Sequence, residues 1–187
     1  MTEIYLDLET TGLSAYKNGI WQIAAIIFQG GQEVRTFECK CNIFPNQKMD
    51  AKALEMNDLT KEKVRGFQPA EEAYKDFVAM LKAYVDPYNK RDKMTMYGYN
   101  VRFDSGFLRQ FFYNNNNRYF GSWFFFPPID IMSLAADKLK HERANLKNFK
   151  QGTVAKHLGL EVDEDKLHDA LYDIQISRQI YEELSKR

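Results

Sequence analysis

The segment IYLDLETTGL, residues 4–13, constrains this chain more than any other. Ile4, Leu6 and Leu8 alternate with Tyr5, Asp7 and Glu9, which is the period of a strand, so the two carboxylates project from one face about 6.5 to 7 Å apart. Burying one unpaired carboxylate costs several kcal/mol, and a second beside it adds like-charge repulsion; a cation relieves both. The alternative is a solvated edge strand that shows its D-x-E run to water, and for a bare D-x-E that alternative is the better reading. The Thr10-Thr11-Gly12 turn that follows shifts the balance. A glycine there lets backbone and hydroxyl groups approach whatever the carboxylates hold, as at ligand sites outside the carboxyl ends of strands.

A chain of 187 residues with 44% hydrophobic side chains can bury a core without staples, so residues 1–187 are expected to form one domain. Aromatic residues make up 14%, which argues against disorder. No apolar run approaches the ~20 residues a membrane span needs, and no signal-peptide pattern precedes the first strand, so no membrane partner and a cytoplasmic location are expected. Cys39 and Cys41 are the only cysteines, and with no other thiol and the histidines far along the chain they read as half-buried strand thiols, not a zinc site. A net charge of zero is silent about a polyanionic partner, because bound metals supply positive charge that the total does not show.

Three strands open the chain: IYLDLE, then IWQIAAIIF, then EVRTFECKCNIF returning after the Gly30-Gly31 turn. AKALEMN is a short helical piece followed by a polar stretch. From Pro69, placed as the first helical residue, Ala70, Ala73, Tyr74, Phe77, Val78, Leu81 and Val85 form one apolar stripe. MTMYGY reads as a strand ending at Asn100, RFDSGFLRQFFY as a helix, 129–131 as a short strand running into the helix MSLAADKL, and a basic helical stretch ends at Gly159. A final helix runs from about Asp169 with Leu171, Ile174, Tyr181 and Leu184 inward. Strands first, then strands alternating with helices, predict an α/β fold with a mixed sheet covered on its faces.

Two further segments carry polar groups in apolar surroundings. YGYNVRFD puts Asn100 at a strand end and Asp104 at a helix start, where a carboxylate also gains up to about 1 kcal/mol from the helix dipole alone. LHDALYDI puts His168 before the last helix and Asp173 within its first turns. Asp169 and Asp173 share a face at i and i+4, so either is a possible ligand on spacing; Asp169 is preferred as the helix cap.

Together these segments resemble the DEDDh 3′-to-5′ exonucleases, the DnaQ-like branch of the ribonuclease H-like superfamily that includes the proofreading epsilon subunits of bacterial DNA polymerase III. The family's D-x-E-T-T-G-L run is matched by Asp7 to Leu13, its H-N-x-x-F-D run from Asn100 through Phe103 to Asp104, and its H-x-A-x-x-D run by His168, Ala170 and Asp173. Tyr99 stands where the family usually has histidine, and Gln22 where a glutamate is frequent. The resemblance implies a five-stranded mixed sheet with one antiparallel strand, flanked by helices. It also implies two divalent ions, Mg2+ or Mn2+, held by Asp7, Glu9, Asp104 and Asp173, with His168 taking a proton from water. All-oxygen ligands suit such hard cations. Thr10, Leu13, Asn100 and Phe103 resemble the family's substrate contacts, although Phe103 serves equally as a core residue.

The activity so implied is metal-dependent hydrolysis from the 3′ end of single-stranded DNA, or RNA, releasing nucleoside 5′-monophosphates. A non-catalytic nucleic-acid or protein-binding module on the same fold is the alternative, disfavoured because converging carboxylates without metal repel a polyanion. The chain stops just after its last helix, without the appended segment that joins replicative proofreading subunits to a polymerase, so it is expected to act with this domain alone. The aromatic and asparagine-rich stretch 111–128 reads as a helix end, a loop tip and a return to the core, with base stacking or partner docking as alternatives. Lys147 and Lys150 lie in a mixed-charge stretch that reads as a solvated helical face.

Overall fold

The computed structural model describes residues 1–167 and 169–187. Three strands, β1 (Thr2–Thr10), β2 (Ile20–Gln29) and β3 (Gln32–Lys40), are followed by three helices, α1 (Ala51–Met56), α2 (Lys61–Arg65) and α3 (Ala70–Lys82). Then come β4 (Met94–Gly98), α4 (Val101–Asn114), β5 (Ile129–Asp130), α5 (Ile131–Lys138), α6 (Gln151–His157) and α7 (Ala170–Ser185). The sheet order is β3-β2-β1-β4-β5, with β2 antiparallel to both its neighbours and β1, β4 and β5 parallel. This is the mixed five-stranded sheet with one antiparallel strand that the motifs implied.

β1 is the central strand, so the solvated-edge alternative for the D-x-E run is excluded. Ile4, Leu6 and Leu8 pack on one face of the sheet with Ala73, Phe77 and Leu81 of α3 and Leu108 and Phe112 of α4. Tyr5 faces the other side with Ala24, Ile26 and Phe28, beneath Ile131 and Ala135 of α5, Val154 of α6 and Ile174 and Ile180 of α7. Both faces are covered, which is why β2 is a near-continuous apolar run buried from Ile20 to Phe28. β3 is the exposed edge, and its outward Glu33, Arg35, Glu38 and Lys40 oppose pairing with another sheet.

Several local expectations change. Pro69 is the N-cap of α3, not its first helical residue, and Asn100 caps α4 from the left-handed region (φ 63°) beyond the end of β4. α2 was hidden in what reads as a polar stretch; Thr60 caps it by accepting from the Lys63 N–H. The basic stretch before Gly159 is not one helix: residues 139–142 are turns, Arg143–Asn145 a single 3-10 turn and 146–150 irregular, and only Gln151–His157 is α-helical. Leu139, Leu146 and Phe149 still pack on the core from these turns, while the intervening residues are mostly charged or polar. Cys39 is half-buried in β3 as expected, whereas Cys41 lies just past the strand and is fully buried, its Sγ against the Ile20 carbonyl oxygen. The 111–128 stretch sends Phe111, Phe112, Phe120, Trp123 and Phe124 into the core and leaves Tyr113, Tyr119 and Phe126 exposed.

Candidate active site

The turn after β1 is held by a buried polar knot. Thr11 Oγ1 donates to the Lys48 carbonyl (2.7 Å) and accepts from the Gly19 N–H (2.9 Å), while Asn18 Nδ2 donates to the Thr11 and Lys48 carbonyls. Gly12 sits against this knot: a Cβ on it would lie 2.3 Å from Asp50 Oδ2 and 2.4 Å from the Asn18 side chain. Of the hydroxyls in the Thr10-Thr11-Gly12 turn, that of Thr11 is used to build the turn. Thr10 Oγ1 donates to the Gly12 carbonyl (2.8 Å), and Leu13 stands 87% exposed beyond it.

β4 delivers the second segment. Gly98 lets the chain pass close to β1, since a Cβ there would lie 3.0 Å from the Leu6 carbonyl oxygen. The chain then turns through Asn100, which is exposed, into α4, whose first turn carries the buried Asp104. The Leu8 N–H donates to Asp104 Oδ1 at 3.1 Å, so the strand that bears Asp7 and Glu9 also grips this carboxylate from between them. Phe103 is half-buried, packs on the core and meets Phe107 at a ring separation of 4.8 Å.

The third segment comes from α7. Asp169 is its N-cap, accepting from the Tyr172 N–H at 2.9 Å, which leaves Asp173 in the first turn. Gln151 of α6 donates from Nε2 to the Asp173 carbonyl (2.6 Å) and the Ser177 hydroxyl (3.1 Å), fixing that turn from the side. His168, singled out from the sequence as the proton acceptor, lies outside the described residues.

Four carboxylates from three separated segments therefore act on one another. Burial raises the Asp7 carboxyl well above the usual range, and Asp104, Glu9, Asp173 and Asp169 push it further in the same direction. Glu9 is pushed up to about 7, by burial first and then by Asp173 and Asp169, against a hydrogen bond from the Asn57 side chain that favours the charged form. Asp104 is also raised to about 7, chiefly by burial, with the Leu8 N–H opposing and Glu9 and Asp130 adding repulsion. Groups so arranged hold either protons or cations at neutral pH. Among the described residues no three Asp, Glu, His or Cys side chains are already drawn into a closed metal cage. The fit to hard divalent ions thus rests on an all-oxygen donor set and shared negative potential.

Sequence reasoning missed Asn57, Gln151 and Asp130. Asn57 follows α1, and nothing in its local pattern points across the fold to Glu9; the amide of Gln151 belongs to a short helix with no motif around it. Of the two family departures, Tyr99 donates its hydroxyl to the Phe149 carbonyl at 2.6 Å, and Gln22 donates to Glu38 Oε1 at 2.8 Å.

A five-stranded sheet in this order, with acidic groups at the end of the central strand and in the first turns of α4 and α7, defines the ribonuclease H-like class. A family model described as "Exonuclease" matches residues 4–181, and the chain belongs to that exonuclease family, in its DnaQ-like, DEDD-type branch. Its sequence is similar to PolC-type DNA polymerase III of Oceanobacillus iheyensis, 27% identical over 186 residues, and of Thermotoga maritima, 28% identical over 180. These matches cover 100% and 96% of this chain but only 12% of each relative. Among solved structures it is similar in fold to E. coli Exonuclease I in complex with a 5cy-dT13 oligonucleotide (TM-score 0.77, 19% identity), covering 100% of this chain and 41% of that one. The zinc ion bound form of the E. coli ExoI–ssDNA complex gives a TM-score of 0.79 at 20% identity, with the same coverage. No helix among the described residues is long and apolar enough to cross a membrane.

Proposed function

We propose that this chain, as one exonuclease domain, is a metal-dependent 3′-to-5′ exonuclease that removes nucleoside 5′-monophosphates from single-stranded DNA in the cytoplasm. The observation that carries the reading is the raising of the buried Asp7, Glu9 and Asp104 carboxyls by burial and by acidic neighbours that include Asp173, since such a cluster has no use in a module that merely binds a polyanion. In this reading those four carboxylates hold two Mg2+ or Mn2+ ions. Bound there, the ions supply a water of lowered pKa and neutralise charge building on the phosphate and on the departing 3′ oxygen.

The remaining roles belong to the chain itself. The Leu8 N–H orients the Asp104 carboxylate, and the Asn57 side chain favours the charged form of Glu9. Gln151 holds the first turn of α7, and with it Asp173, in place. His168, by its place in the H-x-A-x-x-D motif, accepts the proton of the attacking water. The exposed Leu13 is suited to wedge against the terminal base, and Thr10, Asn100 and Phe103 to line its sugar and phosphate. The oligonucleotide named in the structure of a fold relative, and the polymerase named in the sequence relatives, support single-stranded DNA as the substrate class and a replicative partner as the setting.

The test uses one oligonucleotide labelled at either end, with Mg2+ or Mn2+. Labelled mononucleotide appearing at once from the 3′ label, and a ladder of shortening products from the 5′ label, is the expected result. No release with either metal overturns the reading in favour of a binding module.

A further inference from the structure

Apart from the carboxylates, the molecule has a second surface with the chemistry of a nucleic-acid contact. A groove of about 820 Å³ runs between α3 and the 117–123 segment. Trp123, 4% exposed, and Tyr74 form its inner wall, and Tyr88 and Tyr119 stand over it 94% and 75% exposed. Lys75 and Lys82 line it, and among the described residues no acidic one does. Its walls are braced: Asn117 Nδ2 donates to the Tyr74 hydroxyl at 2.6 Å, and Lys93 Nζ to the Gly121 carbonyl at 2.6 Å.

The groove is separate from the active site. Trp123 accepts from the Met94 N–H at the start of β4, level with Thr2 on β1. Asp7 is five residues further along that strand, which at about 3.3 Å per residue puts the groove roughly 17 Å or more from the carboxylates. Tyr88 and Tyr119 are mostly in water and belong to no core cluster of this chain. Aromatic faces beside lysines suit bases and phosphates, and stacking accepts any base.

We propose that this groove is an accessory site for single-stranded nucleic acid, holding the strand upstream of the 3′ end that occupies the active site. The proposal rests on the exonuclease reading for its direction, though not for binding itself. A strand too short to leave the active site gains nothing from the groove; a longer one is held at both points. An acidic, aromatic peptide is the competing occupant, disfavoured because a protein partner does not require paired exposed rings open to stacking.

The test measures fluorescence anisotropy of a long and a very short labelled oligothymidylate in Ca2+ without turnover, alongside mononucleotide release in Mg2+ or Mn2+. Tyr88→Ala with Tyr119→Ala, both at exposed positions, is expected to weaken the long oligonucleotide about tenfold or more while leaving release from the short one unchanged. Lys75→Glu with Lys82→Glu is expected to flatten the salt dependence of long-strand binding by roughly 0.7 per lost phosphate contact. Long-strand affinity and salt slope that stay at the parent values in both variants overturn the proposal. So does binding of a mixed Glu-Phe peptide that the tyrosine changes abolish while oligonucleotide binding persists. Absence of release by the parent chain on the short strand is a failure of the exonuclease reading alone, since the anisotropy result stands apart from it.

Discussion

Leu8 donates its backbone N–H to Asp104 Oδ1 at 3.1 Å, joining β1 to the first turn of α4 at the point where Asp7 and Glu9 flank it. One hydrogen bond thereby sets the position of a buried carboxylate relative to two others. Asp104→Asn keeps an acceptor for that N–H but removes the charge, so the fold is expected to survive while nucleotide release falls by on the order of 10²-fold or more. Asp104→Ala loses both, and leaving the Leu8 N–H unpaired costs a further ~1–3 kcal/mol of stability. Thermal unfolding and release rates of the two variants separate these effects.

The raised carboxyls fix the direction of the pH response. Glu9 and Asp104 each move from ordinary values of 4.5 and 3.8 to about 7 on folding, so between those limits the folded protein binds more protons than the unfolded chain. Metal-free stability is therefore full below about pH 4 as far as these groups are concerned, and is lost as pH rises through about 7. Unfolding midpoints in chelator should fall across that window. Adding Mn2+ should restore much of the loss at pH 8, and Asp7→Asn should raise the chelated protein's midpoint there.

Asn57 and Gln151 touch the site only through other residues. Outer partners of ligating groups are worth ~10–100-fold in metal affinity or activity. Asn57→Ala and Gln151→Ala are expected to raise the Mn2+ concentration for half-maximal release within that range, with saturating metal recovering much of the rate for Asn57→Ala. A loss equal at all metal concentrations would assign these residues to stability instead.

Gly12 tests the turn. A methyl group there meets Asp50 Oδ2 and Asn18 at 2.3 and 2.4 Å, so Gly12→Ala has to displace the Thr11 knot, at about 1–3 kcal/mol. Chemical denaturation checks the cost.

Much of this was legible in the chain because strand alternation and short motifs are local. β1, β2, the Gly30-Gly31 hairpin and α3 follow from period alone, and Asp169 as the cap of α7 from its residue type and place. Other features depend on partners distant in sequence. That β1 is central and not an edge is decided by β4 packing beside it, and the work of Asn57 and Gln151 by where α1 and α6 come to rest. α2 was missed because a five-residue helix carries too little periodicity to announce itself, and Cys41 because burial just past a strand end has no signature in its neighbours.

In the proposed reading, carboxylates of β1, α4 and α7 share divalent ions. Manganese binding followed by electron paramagnetic resonance on the chelated, reloaded chain tests it most directly. Two ions are expected to bind per chain, with Asp7→Asn, which removes the carboxylate that all the others act on, sharply lowering uptake. Undiminished binding in that variant, or none in the parent at millimolar Mn2+, would contradict it.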